Sequence, residues 1–194
     1  MGWVEPVTLT GDHVILEPAA DRHLPDLLAA SADPDVWTWL PWRRPTSEDE
    51  LAALLADERR SAYPFAQLEA AGGRAVGITT YRDVDERHRT LEIGGTWIGR
   101  PWWRTAINTE AKLLFLGHAF DTLGANRVAI KTDIRNERSQ AAIERLGAVR
   151  EGVVRHQYIR PDGTLRDTVL YSVIPDEWPA MRAHLRARLA AYAA

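Results

Sequence analysis

Residues 91–120, LEIGGTWIGRPWWRTAINTEAKLLFLGHAF, have the types and order of an anion-binding element. An apolar stretch suited to a strand (91–98) runs into a short loop containing Pro101. A helical pattern follows, expected to start at Asn108 or Thr109. Asn108 reads as its N-cap, and Glu110 falls in the first turn, where a carboxylate meets the positive end of the helix dipole. A strand feeding a helix in this way leaves backbone N–H groups unpaired and aimed outward, which suits a phosphate or pyrophosphate. One strand later, a second strand-to-helix junction carries Asn136 and Ser139. If the two strands are adjacent and parallel, both loops open at one sheet edge, where ligands of α/β sheets bind. That geometry suits a long ligand with a diphosphate.

Other chemistries are excluded by inspection. The chain contains no GxSxG, GxxxxGKS/T, GxGxxG or DxDxDG run. It has no cysteine, which removes disulfides, thiolate catalysis and sulfur-ligated zinc. The histidines (His13, His23, His88, His118, His156 and His184) are scattered without HExxH spacing, so no metal site is expected. A net charge of −3 offers no overall electrostatic case for nucleic acid. No apolar run approaches the length of a membrane span. The first ten residues lack the basic start and apolar core of a secretory signal, so a cytoplasmic location is expected.

The elements that must position these residues read as one mixed α/β domain spanning 1–194, a length that can bury a full core. Gly11-Asp12 marks a turn before a strand through Val14, Ile15 and Leu16, and Asp21 reads as the cap of a helix to residue 32. Residues 33–45 hold Pro34, Pro41 and Pro45 with Trp37, Trp39 and Trp42. Those indoles either pack into the core or a dimer interface, or line a substrate approach. Ser47 with Glu50 forms a capping box that opens a helix from residue 48 to about 60. A hairpin follows over 63–81, turning at Gly72-Gly73, and a polar link over 83–89 leads into the central strand. Gly124 ends the central helix, and residues 127–132 form a strand, a strand–helix–strand order that implies parallel pairing. A helix closing at Gly147 precedes a hairpin (149–159 and 165–174), and a last helix follows Pro175.

The run WIGRPWWRTAINTEAKLLFLGHAFDTLGANRVAIKTDIRNERSQAAIERLGAVREGVVR resembles the cofactor half of the GNAT acyltransferase superfamily. Within it, the similarity is to the branch of ribosomal-protein serine and alanine N-acetyltransferases. The opening LTGDHVILEP and the closing RDTVLYSVIPDEW resemble that branch too, so the likeness covers residues 9–180. The resemblance implies a bent, mixed seven-stranded sheet flanked by helices, with acetyl-CoA wedged where the fourth and fifth strands splay. Trp97, Ile98 and Gly99 would pair through their backbone with the pantetheine arm. The loop of Trp103, Arg104, Thr105, Ala106, Ile107 and Asn108, ending at Thr109, would wrap the pyrophosphate. It departs from the family pattern: Trp103 replaces Gln or Arg, Ala106 the first glycine and Asn108 the last small residue. Backbone N–H groups do most of that binding, so the loop can still work. Asn136 would bond the arm and Ser139 would protonate the leaving thiolate; the alternative is that both only cap the helix after them.

By the same resemblance, the reaction is direct acetyl transfer to a primary amine of a small molecule or a protein N-terminus. An α-amino group costs about 1 kcal/mol to deprotonate at pH 7, a lysine about 4 to 5. Glu92 is the candidate general base, its alternative a structural carboxylate paired with a neighbouring arginine. His156 is the second candidate base, and it joins Trp37, Trp39 and Trp42 as a candidate acceptor-site residue. A carboxylate that the ribosomal enzymes carry near position 157 is replaced by Gln157, which cannot act as a base. Two other readings keep the fold: a CoA-binding or interaction module without catalysis, and a transferase using a longer acyl-CoA or an aminoacyl-tRNA. Dimers are common in this branch, so a homodimer is expected.

Overall fold

Apolar runs of alternating burial, punctuated by glycine and proline turns, pair into one sheet in the computed structural model. It describes residues 2–192; Met1, Ala193 and Ala194 lie outside the described residues. The strands are β1 (Leu9–Thr10), β2 (Val14–Pro18), β3 (Tyr63–Glu69), β4 (Ala75–Asp85), β5 (Thr90–Ile98), β6 (Arg127–Asp133), β7 (Val149–Ile159) and β8 (Leu165–Val173). The helices are α1 (Leu24–Ala30), α2 (Glu48–Glu58), α3 (Ala106–Gly117), α4 (Glu137–Leu146) and α5 (Trp178–Ala190). Sheet order is β1-β2-β3-β4-β5-β6-β8-β7. The sheet has eight strands rather than seven, because Leu9 and Thr10 fold back on Leu16 and Ile15 as a strand of their own. The expected fourth and fifth strands are therefore β5 and β6.

Two apolar layers cover the sheet. On one face, Leu91, Ile93, Val128, Ile130, Val169 and Tyr171 join Phe115 and Leu116 of α3 and Trp178 and Leu185 of α5. On the other, Ile78 and Trp97 join Leu27 of α1, Leu51 and Leu55 of α2, and Trp37. Period-two alternation sends neighbouring residues of one strand to opposite layers.

Local chemistry moves several boundaries. Asp21 caps no helix to residue 32: it sits in a 3-10 turn (Asp21–His23) after Ala20, and α1 begins beyond it. Pro25 explains this, because its missing N–H confines it to the first turn of α1. At α2, Ser47 accepts from the Glu50 N–H at 3.2 Å, as expected. The Glu50 carboxylate turns to the N–H and hydroxyl of Thr46 instead of back to Ser47.

The largest correction concerns α3. It starts at Ala106, with Thr105 as N-cap, so Asn108 lies inside the helix. Glu110 is buried, one turn further in than expected. Its carboxylate accepts the N–H groups of Asp12 (3.0 Å), His13 (2.6 Å) and Val14 (2.7 Å), tying the β1–β2 turn to the central helix. A Cβ on Gly11 would stand 2.4 Å from that carboxylate, which explains the glycine.

Candidate active site

Strands β5 and β6 are the only parallel neighbours in the described sheet, and they pair over three positions: Thr90 with Arg127, Leu91 with Val128, and Glu92 with Ala129. Beyond Glu92 the strands part. A bulge opens there: Thr80 of β4 faces Gly94 and Ile78 faces Trp97, which leaves Gly95 and Thr96 as the irregular pair. Gly95 has φ +57, a conformation glycine adopts without a Cβ penalty. The Gly99 N–H donates toward β4, to Val76 O at 2.8 Å. Alternate residues direct their backbone groups to opposite sides, so the N–H and C=O of Ile98 face the opening.

The mouth of this cleft lies at the start of α3. Its first N–H groups have no partner within the helix, and the Thr105 side chain does not cap them. The Thr105 hydroxyl donates to Trp102 O instead, at 2.8 Å. The left-handed residue of this loop is Arg104 (φ +64), so Ala106 is free to be helical. The indole of Trp103 lies across the opening, its Nε1 donating to Ile98 O at 2.7 Å. From the far side, Arg138 of α4 stacks its guanidinium 3.8 Å from the Trp103 ring. The two junctions thus touch through Trp103 and Arg138. Asn136 caps α4, its Oδ1 accepting the Ser139 N–H at 3.0 Å, which leaves the amide NH2 free to donate elsewhere.

Glu92 lies on the sheet face away from α3, 8% exposed. Its partner is Lys131 (2.7 Å), not an arginine; Arg82, directly across from it on β4, pairs with Glu58. Burial pushes the Glu92 carboxyl above the ordinary range, offset in part by Lys131. Burial also opposes charge on Lys131, but bonds from Asp83 and Glu92 outweigh it and carry the amine up to about 12. Lys131 is therefore a fixed cation, and the carboxyl it holds is the one that burial pushes upward.

The three tryptophans divide. Trp37 is core: 6% exposed, bonded to Ser31 O, its ring 5.4 Å from that of Trp97. Trp42 packs beside the bulge, 3.3 Å from where a Cβ of Gly95 would lie, with Arg82 5.7 Å from its ring. Trp39 lies against the β7–β8 hairpin, sharing a small cavity with Asp133, Tyr158 and Arg166. His156 stands exposed in the irregular stretch of β7, at φ +51, its N–H held by Asp167. A much larger cleft, about 490 Å³, opens among Trp3, Arg59, Tyr63 and Val84; no residue of the β5/β6 opening lines it.

Sequence reasoning missed Lys131, Asp133, Arg138, Arg160 and Arg166. The first two were legible: Val128 and Ile130 alternate with them, so core on one face puts Lys131 and Asp133 on the other. For Arg138 and the hairpin arginines no local pattern exists.

The profile described as "Acetyltransferase (GNAT) domain" matches residues 13–149, more than half of the chain. The chain belongs to the GNAT acetyltransferase family. A Bacillus subtilis (strain 168) protein provisionally named a ribosomal N-acetyltransferase, YdaF, is 31% identical over 169 residues, covering 84% of this chain and 91% of its own. A crystal structure from T. thermophilus, provisionally described as an acetyltransferase, is 43% identical with a TM-score of 0.88, covering 97% of this chain and 100% of its own. Mycobacterium smegmatis RimJ, solved with CoA-disulfide, shares the fold at 21% identity and a TM-score of 0.81, covering 94% of this chain and 95% of its own. This GNAT chain is thus an acyltransferase whose open strand pair lies within the matched region.

Proposed function

We propose that this GNAT chain transfers an acetyl group from acetyl-CoA directly to a primary amine of a small molecule or a protein N-terminus. The observation that carries this reading is the three-pair contact of β5 with β6. Past it, the Ile98 backbone faces an opening whose mouth is the uncapped start of α3. Such a slot fits a pantetheine arm ending in a diphosphate. The Trp103 indole now holds the Ile98 carbonyl, so entry of the arm exchanges one N–H donor for another. The N–H groups from Arg104 to Asn108 would hold the diphosphate, and the Asn136 amide would bond the arm.

The acceptor amine loses a proton to Glu92 through water, and its nitrogen attacks the thioester carbon. Backbone N–H groups of the opened β5 edge stabilise the oxygen that gains charge. The C–S bond then breaks, the thiolate takes its proton from the Ser139 hydroxyl, and Ser139 regains one through water from the amide nitrogen, which sheds its extra proton. Holding both reactants in one slot removes most of the entropy cost of their meeting. An acceptor with an α-amino group would ask little of the base, at about 1 kcal/mol. YdaF carries the word ribosomal in its name, which adds protein N-termini to the acceptors worth testing.

The test is free-thiol release from acetyl-CoA with a panel of amines, beside calorimetry for CoA. Binding with amine-dependent turnover is the expected outcome. Binding without turnover of any amine would reduce the protein to a CoA-binding module, and no binding would end the proposal.

A further inference from the structure

One carboxylate on the sheet face away from α3 meets more positive charge than it can pair. Asp133 is 1% exposed. Arg160 grips it with both ends of its fork, Nε to Oδ2 at 2.7 Å and the outer nitrogen to Oδ1 at 2.9 Å, and the Arg135 N–H bonds Oδ1 as well. Burial opposes the charge on Asp133, yet these bonds hold its carboxyl below the usual range. Arg166 remains outside this arrangement, its Nε 3.9 Å from Oδ2, beyond hydrogen-bond reach. That Nε is buried without a partner, and so is the hydroxyl of Thr168, two residues along β8.

No other carboxylate answers Arg166. Asp162 is taken by the Thr164 N–H and hydroxyl, and Asp167 by the His156 N–H. Glu92 lies close enough for its charge to act on Arg166, but it is bonded to Lys131. Val169 and Tyr171 belong to the core on the α3 side, so Arg166 and Thr168 point to the opposite face. Glu92, Lys131 and Asp133 share that face. Trp39 and Pro41 cover it from above and Tyr158 packs under the guanidinium, 5.3 Å from ring centre to Cζ. The cavity they enclose with Arg166 measures about 10 Å³, the room of one water, whose place a single ligand oxygen would take.

We propose that Arg166 is a subsite for a carboxylate carried by the acceptor, so that the acceptor class is an amino acid or short peptide acid. This rests on the amine-acetylation reading above and places the acceptor across β6, amine toward Glu92 and carboxylate toward Arg166. A carboxylate suits the site better than a phosphate, because a flat group can lead one oxygen to the guanidinium through so small a space and a tetrahedral one cannot.

The experiment titrates the CoA-loaded protein with N-acetyl-leucine and N-acetyl-tryptophan, each against its primary amide, and with N-acetyl-leucyl-alanine against its amide. Amino acids and peptide acids are the two sources of the same group, and the two arms separate them. The acid should bind roughly tenfold or more tightly than its amide, the scale of a charge-assisted hydrogen bond. Arg166→Gln should erase the difference while leaving CoA affinity unchanged, and Arg166→Lys should keep part of it. Equal binding of acid and amide, failure of both to bind, or an unchanged difference in Arg166→Gln would overturn the subsite. Should Arg166→Gln not fold, the wild-type comparison together with Arg166→Lys decides. If acids outbind amides but no amine is acetylated, the transferase reading fails and the subsite stands. Acetylation without any preference for acids sinks the subsite alone.

Discussion

Lys112 points from α3 into the sheet, 6% exposed, and donates to the hydroxyls of Thr96 (3.0 Å) and Thr79 (3.4 Å). Burial without a carboxylate partner pulls its amine from 10.5 down to about 7. Between pH 7 and 10.5 the unfolded chain therefore binds a proton that the folded chain refuses, and stability must rise with pH across that window. At about 1.4 kcal/mol per pH unit, folding costs about 4 kcal/mol through this group at pH 7 and about 1 kcal/mol at pH 9.5. Lys112→Met fills similar space and carries no proton. The two hydroxyls it leaves behind already bond each other at 2.9 Å, so neither is orphaned. Urea unfolding of both proteins should show the variant more stable at pH 7 by about 3 kcal/mol and nearly equal to the parent at pH 9.5. The comparison cancels every other titrating group. A variant no more stable at pH 7, or a gain of the same size at both pH values, would mean that burial does not depress this amine.

Glu92→Gln should lower kcat by about a hundredfold or more, with CoA affinity unchanged in calorimetry. In the parent, kcat should fall as pH drops through the raised Glu92 pKa, and the variant should lose that acid limb. Glu110→Gln turns an amide NH2 against N–H groups that now meet a carboxylate. It should cost about 3 kcal/mol in urea unfolding, with the amides of His13 and Val14 losing protection in hydrogen exchange. Asp133→Asn should destabilise the fold at neutral pH by about 2 kcal/mol, because two arginines lose their counter-charge. Since the Asp133 carboxyl is held low, its contribution is present above the unfolded carboxylate range and lost as pH falls through the folded value. An acid titration of stability should therefore be steeper in the parent than in the variant below about pH 4.

The order of elements, the β5–α3 junction, the β7–β8 hairpin and the helix after Asn136 were all legible in the sequence. Each is written in contacts between near neighbours: apolar periodicity, a capping serine, a glycine turn. Exact helix starts were less so, as Ala106 and Leu24 show, because a missing proline N–H and a backbone turn at Arg104 override the obvious cap. Only the tertiary structure turned Glu110 from a dipole-facing carboxylate into a clamp on residues 12–14. It also paired Glu92 with Lys131, stacked Arg138 on Trp103, and set Arg166 beside Asp133 with its Nε outside hydrogen-bond reach. Those contacts join residues from about 30 to 100 positions apart, where charge and geometry depend on how strands are ordered in the sheet and not on local spacing. Local sequence determined which segments form; the sheet's order decided which charges meet.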